Sequence, residues 1–235
     1  MAILSDRNHR GIPAPAVPAD AVGLPDSSWY GSCKPAADFV LAVLLLIPSL
    51  PLMILAMVLV KLTSPGRAIY PQVRVGRHGR LFTIYKIRTM VRDSEGLTGP
   101  RWSAPGDPRI TLVGRFLRCT HLDELPQLWN VLRGEMSLVG PRPERAEFVE
   151  QLGRAIPCYR DRLLVRPGVT GLAQVQLPPD VDLNSVRRKL ACDLYYIQRL
   201  NFWLDLRLLL CTALFLVGIP FAVSRRLLRV PTREG

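Results

Sequence analysis

The run His121-Leu122-Asp123-Glu124-Leu125-Pro126-Gln127-Leu128-Trp129-Asn130 places two adjacent carboxylates in a chain otherwise rich in lysine and arginine. Adjacent acids in basic surroundings suggest phosphoryl chemistry. Leu125, Leu128, Trp129 and Leu132 recur at i, i+3, i+4 and i+7, which predicts one apolar helical face, and Gly134 supplies a stop. Asp123 is then the expected N-cap, and Pro126 fits the first turn, where a missing amide hydrogen costs nothing. A helix N-terminus in that position would keep Asp123 ionised and attract a nearby phosphate. Plain capping by Asp123 is the competing explanation, so the cations around the pair must decide between them.

Lys86 and Arg88 share one face of a predicted strand with Phe82 and Ile84, and within a phosphate site they would bracket an anion. Arg115 and Arg118 lie just upstream of the acids, and Arg142 sits in the rigid turn Gly140-Pro141-Arg142-Pro143. His121 adjoins the acids but has no second histidine at helical spacing, which argues against a zinc site.

The elements that would carry these residues follow from the pattern. Gly76-Arg77-His78-Gly79 punctuates two strand-like runs between Ala68 and Met90, which predicts a β-hairpin. Residues 91–110 hold closely spaced Gly and Pro and predict a long loop. Helices are expected after Asp123, from Glu144 to about Ile156, and from near Ser185 through Tyr196, with an extended segment over 165–171.

Phe39 to Val60 is an uncharged apolar stretch long enough to cross a bilayer. Pro48, Ser49 and Pro51 at its centre predict a helix break, and basic residues flank both ends: Lys34 before, Lys61, Arg67 and Arg74 after. A helix that enters, bends and returns to the same face satisfies both features. A proline-kinked spanning helix is the alternative. Phe202 to Val223 is apolar but interrupted by Asp205 and Arg207, with Arg225, Arg226 and Arg229 beyond, which suits a helix lying in the headgroup layer.

The chain has 235 residues, a formal net charge of +12 and an isoelectric point near 10.2, which calls for an anionic partner. No helix-turn-helix, zinc-finger or aromatic RNA-binding pattern is visible, so nucleic acid rests on charge alone and is not expected as a partner. The five cysteines are dispersed and form no C-x-x-C pair, which argues for a reduced setting. The predicted class is α+β, membrane-associated and mostly helical. Its expected parts are a Pro/Ala-rich tail over 1–32, a re-entrant membrane helix over 33–62, a cytoplasmic catalytic domain with a small hairpin over 63–201, and an interfacial amphipathic helix with a basic tail over 202–235.

Five motifs in order carry a resemblance. They are Tyr85-Lys86-Ile87-Arg88-Thr89-Met90, Leu122 to Leu132, Met136 to Pro143, Arg166-Pro167-Gly168-Val169-Thr170-Gly171-Leu172-Ala173-Gln174-Val175, and Trp203-Leu204-Asp205-Leu206. In these the chain resembles the bacterial sugar transferase family in its small form, the monotopic polyprenyl-phosphate phosphoglycosyl transferases. The resemblance implies a UDP-sugar donor and an acceptor such as undecaprenyl phosphate, at the cytoplasmic face of a bacterial inner membrane. It implies that Asp123 is the nucleophile forming a phosphosugar-enzyme intermediate with release of UMP. It further implies that Glu124 helps hold Mg²⁺, and that Lys86, Arg88, Arg118 and Arg142 position phosphate.

Two departures stand out. Many relatives continue the Ala-Gln-Val element with Asn-Gly-Arg where this chain has Gln176-Leu177-Pro178-Pro179-Asp180, and Cys119-Thr120-His121 replaces more usual small polar and basic residues. The competing reading is a noncatalytic membrane adaptor of a glycan-assembly complex. The intact Asp123-Glu124 pair with Arg142 favours catalysis, because an adaptor has no physical need of all three. A homo-oligomer is left open, as is the identity of the sugar.

Overall fold

The computed structural model describes residues 29–92, 106–180 and 182–231. Most of the expected tail and most of the expected 91–110 loop therefore lie outside the described residues.

Helix α1 (Trp29–Thr63) is 35 residues long, with mean hydropathy 2.8 in its most apolar window, long and apolar enough to cross a membrane by length and composition. The expected break at Pro48, Ser49 and Pro51 is not an interruption of the helix, which is continuous through all three. Each proline still removes one amide donor, leaving the Leu44 and Ile47 carbonyls without their usual partners. The Ser49 hydroxyl donates to the Leu45 carbonyl at 2.7 Å.

Full burial along α1 occurs near its two ends, with Leu46, Ser49 and Met53 half-buried between them and Leu46 packed against the main core. Tyr30, Lys34, Asp38 and Ala42, spaced four apart, pack on the globular body, and so do Ala56 and Val60. No residue between 42 and 56 is buried, and Leu44, Ile47, Leu50, Ile54 and Leu55 are exposed.

The hairpin is β1 (Ile69–Val75) and β2 (Leu81–Ile87), antiparallel with Gln72 opposite Ile84 and Tyr70 opposite Lys86. A helix absent from the expected elements follows: α2 (Leu112–Thr120), capped by the Thr111 hydroxyl accepting from the Gly114 amide at 2.9 Å. A Cβ at Gly114 would lie 1.9 Å from the Thr89 carbonyl, so only glycine lets α2 lie against the chain after β2. Next come α3 (Gln127–Leu132), β3 (Ser137–Val139), α4 (Ala146–Ala155), a 3-10 stretch (Tyr159–Leu164) and β4 (Gly168–Thr170). The segment expected to be merely extended is β4, which pairs in parallel with β3.

Helices α5 (Leu172–Gln176), α6 (Leu183–Gln198), α7 (Phe202–Leu216) and α8 (Phe221–Leu227) complete the described chain. Asp182 and Ser185 cap α6 reciprocally, which fixes its start close to the expected one.

The main core joins Met136, Leu138 and Val139 to Val175, Leu190, Ile197 and Leu208, and a smaller cluster joins Ala56 and Val60 to Ile87 and Leu117. Each buried Leu, Ile, Val or Met among them contributes about 1.5–3 kcal/mol by leaving water.

The expected single interfacial helix at the C-terminus is instead two helices, separated where Gly218 takes φ +90° and Pro220 follows. Leu204, Leu208 and Cys211 of α7 belong to the main core, and Asp205 faces inward rather than toward a headgroup layer. Its Oδ2 accepts from the Tyr30 hydroxyl at 2.6 Å and from Lys34 Nζ at 2.5 Å, while the Tyr196 hydroxyl lies 2.8 Å from Oδ1. The polar residue in an apolar run is thus the clasp between α1 and α7. Phe202, Trp203, Leu210, Leu216, Val223 and Leu227 remain exposed.

Candidate functional site

Asp123 and Glu124 sit together on a 3-10 turn, Leu122–Glu124, between α2 and α3. α2 ends where His121 adopts a left-handed backbone at φ 57°, and the Glu124 amide closes the turn on the His121 carbonyl at 3.1 Å. The His121 ring is spent on packing edge-on against Phe215 of α7. Asp123 is not the N-cap of α3, because Pro126 occupies that place and no side chain caps the helix. The expected apolar face of α3 is also rotated. Gln127, Leu128, Asn130 and Val131 are buried, whereas Trp129 is 52% exposed.

Asn130 explains the rotation. Its Nδ2 donates to the Thr83 carbonyl and to Glu135 Oε2, each at 2.7 Å, and its Oδ1 accepts from the Tyr85 amide at 3.4 Å. A polar residue in an apolar helical run therefore clips α3 to β2, which sets Lys86 opposite Glu124. That interruption of the run was the available signal for it.

Lys86 Nζ donates to Glu124 Oε1 at 2.8 Å, and Arg142 grips both Glu124 oxygens, at 2.5 and 3.2 Å. Arg142 is carried by the Gly140–Pro143 turn after β3. There the Gly168 amide donates to the Pro141 carbonyl at 2.8 Å, and Arg162 Nη2 donates to the Arg142 carbonyl at 2.9 Å. A Cβ on Gly168 would lie 2.1 Å from the Gly140 nitrogen, so these glycines permit the strand contact that holds the turn.

Arg118 reaches the same region from α2. Its Nε donates to the Thr89 hydroxyl at 2.8 Å, and its charge acts on Asp123. Arg88 is placed otherwise: it donates to the Pro65 and Ser64 carbonyls at 2.6 and 2.7 Å, just past the end of α1. Lys86 and Arg88 therefore do not bracket one anion in this structure. Arg88 lies beyond the last residue of β2, where strict alternation no longer governs its direction.

The two acids are electrostatically unlike. Burial would raise Glu124, but Arg142 and Lys86 outweigh it and hold the carboxyl well below the usual range. Burial and the neighbouring Glu124 charge push Asp123 up to about 6, against the opposing influence of Lys86, Arg118 and Arg142. This is opposite to the ionising effect expected of a helix N-terminus. Asp123 is 8% exposed, and among the described residues none donates a hydrogen bond to its carboxylate. One acid is fixed and ionised; the other is available.

The residues fit a Mg²⁺ ion completed by substrate. A carboxylate offers about four acceptor positions, of which three on Glu124 are occupied, leaving one on Oε2. Among the described residues no group of three or more His, Cys, Asp or Glu could hold a metal alone, so phosphate oxygens and water would supply the remaining ligands.

Residues 29–218 match the family model described as bacterial sugar transferase. A UDP-N-acetylgalactosamine-undecaprenyl-phosphate N-acetylgalactosaminephosphotransferase of Aeromonas hydrophila is 45% identical over 179 residues, which cover 76% of this chain and 42% of that protein. A UDP-glucose:undecaprenyl-phosphate glucose-1-phosphate transferase of Caulobacter vibrioides is 44% identical over 181 residues, 76% of this chain and 67% of that protein. An undecaprenyl-phosphate galactose phosphotransferase of Salmonella typhimurium is 41% identical over 194 residues, 77% of this chain and 39% of that protein. The chain thus spans about two fifths of the length of several curated relatives it matches.

Proposed function

The chain belongs to the bacterial sugar transferase family, and from that premise we propose that it transfers a phosphosugar from a UDP-sugar to a polyprenyl phosphate such as undecaprenyl phosphate, releasing UMP. The reaction would be the first membrane step in building a surface polysaccharide or glycoconjugate. The observation that carries this reading is the contrast within the acid pair: an available Asp123 carboxylate beside a Glu124 locked to two cations.

An Asp123 oxygen attacks the phosphorus that bears the sugar, and the bond from that phosphorus to the UMP oxygen breaks, leaving a phosphosugar ester on Asp123. An oxygen of the lipid phosphate then attacks the same phosphorus and expels the carboxylate. Two displacements, each with a bound partner, replace one encounter of two anions. Arg142 and Arg118 supply charge for the phosphate oxygens, and Lys86 holds Glu124 in register. Mg²⁺, held through the open position on Glu124 Oε2 and by donor phosphate oxygens, would neutralise the pyrophosphate and the departing UMP.

The membrane arrangement supports a site at the bilayer boundary. α1 is buried on the body near both ends and half-buried between them at Leu46, Ser49 and Met53, while its other faces are apolar and exposed, which supports a re-entrant helix held to the cytoplasmic face of the inner membrane rather than one that spans it. The exposed Phe202, Trp203, Leu210 and Leu216 of α7 would lie in the same interface.

UMP release from a panel of UDP-sugars, with and without undecaprenyl phosphate and Mg²⁺, tests the reading. Wild-type protein is expected to turn over at least one donor and to carry phosphosugar label, and Asp123→Asn to do neither. Wild-type rates from Asp123→Asn would reject the covalent step.

A further inference from the structure

Arg142 faces a second space besides Glu124. It lines a cavity of about 440 Å³, mouth included, between α4, the 3-10 stretch at Tyr159–Leu164, α5 and α6. The space inside that water can occupy is about 30 Å³. This is room for the hydroxyl-bearing edge of a ring, and a whole ring needs some movement of the 177–180 segment.

The lining has two chemical properties. Its charges balance: Arg142, Arg162 and Lys189 against Glu144, Asp180 and Asp193. Its unmet hydrogen-bonding capacity consists of acceptors. Gln174 Oε1 and Asp180 Oδ1 are buried without a donor, although Gln174 Nε2 donates to the Val169 carbonyl and Asp180 Oδ2 pairs with Lys189 at 3.0 Å. Asp193 Oδ2 lies 2.8 Å from Arg162 Nη2 but accepts no aligned hydrogen bond.

Buried acceptors need donors, and a cavity with balanced charge favours a neutral one. A phosphate would bring further acceptors and negative charge. A divalent cation would need a cluster of ligating side chains, and among the described residues no group of three or more His, Cys, Asp or Glu could hold one. A sugar ring brings hydroxyl and amide hydrogens without charge.

We propose that this cavity is the sugar subsite of the donor, in which Gln174, Asp180 and Asp193 accept hydrogen bonds from hydroxyl or amide groups of the ring, and the Asp180–Lys189 pair selects among sugars. The assignment rests on the transferase reading above and adds the residues that discriminate its substrates. Arg142 joins the two sites: its guanidinium holds Glu124, and the residue also lines the cavity, with its carbonyl accepting from the lining Arg162.

The test uses the full-length protein in lipid nanodiscs with UDP-glucose, UDP-galactose and their N-acetylamino counterparts, reading kcat/KM for UMP release and the inhibition constant of UMP. Asp180→Asn and, as a second variant with the other side of the pair changed, Lys189→Gln are each expected to change the preference between donors by about tenfold or more while UMP inhibition stays as in the wild type. A uniform fall for every donor, or an unchanged order of preference, in a variant with wild-type thermal midpoint overturns the sugar subsite and leaves the transferase reading intact. A wild type that releases UMP from none of the four overturns both.

Discussion

Arg142 holds Glu124 through both carboxylate oxygens, at 2.5 and 3.2 Å, while Asp123, the next residue back, receives no hydrogen bond from any described residue. The fork geometry of arginine makes this a two-point support for Glu124. Arg142→Lys keeps the charge and loses the second contact. Its kcat/KM for UMP release is expected to fall on the order of 10- to 100-fold, the scale of a charge-assisted hydrogen bond worth about 1.5–3 kcal/mol. Wild-type kcat/KM in Arg142→Lys would show that the two-pronged grip is dispensable.

The raised Asp123 gives activity and stability opposite dependences on pH. A nucleophile must be ionised, so kcat/KM should climb as pH rises through about 6 and then level. Folding is linked the other way. The folded chain holds this proton more tightly than the unfolded one, so the contribution is complete below the ordinary value of 3.8 and is lost as pH rises through about 6. At neutral pH the ionised group therefore costs up to about 3 kcal/mol, at roughly 1.4 kcal/mol per pKa unit. Asp123→Asn is expected to be inactive and to melt at a higher temperature than the wild type at pH 7. A lower midpoint in calorimetry, or a pH profile flat across this range, would contradict the assignment.

The site was more legible in the sequence than the fold around it. Asp123, Glu124, Lys86, Arg118 and Arg142 announce themselves as charged residues in short motifs, and the structure gathers them around one turn. Arg88 did not join them, because period-two alternation ends with β2 at Ile87. α2 carries Leu112, Val113, Phe116 and Leu117 at helical spacing, but the run is short, it follows closely spaced Gly and Pro, and part of its apolar face stays exposed at Leu112 and Phe116. The β3–β4 pair was missed because three-residue strands give no period to read. Asp205 read as a surface charge because its partners are distant in sequence, 171 residues away for Lys34 and 175 for Tyr30.

That Asp205 cluster makes a prediction of its own. Lys34 and Asp205 are both buried, and without Asp205 the Lys34 charge keeps only Asp38, at 3.5 Å, so the loss should reach at most the about 3–5 kcal/mol of a broken buried pair. Asp205→Ala should lower the unfolding midpoint in detergent substantially, and Asp205→Asn by less, since an amide still accepts from Lys34 and Tyr30. If Asp205→Ala melts like the wild type, the clasp between α1 and α7 does not stabilise the protein.

The course of α1 in the membrane can be decided from its two ends. A straight 35-residue helix would be about 52 Å long at 1.5 Å per residue, well beyond the ~30 Å hydrocarbon core. Burial is complete near its two ends and partial between them, where Leu46, Ser49 and Met53 continue the same stripe and Leu46 packs against the main core, so the middle also rests on the body. Native Cys33 is exposed near the first end and Leu62 is 78% exposed near the second. With Cys119 and Cys158 replaced by serine, and Cys192 and Cys211 protected by burial, Cys33 and an introduced Leu62→Cys report the two ends separately. Both are expected to react with a membrane-impermeant maleimide in inverted vesicles and neither in intact spheroplasts. Labelling of either from the periplasmic side would mean that α1 crosses the bilayer. The Lys34–Asp205 clasp and the Ala56–Val60 contact could not then both hold the helix to one body.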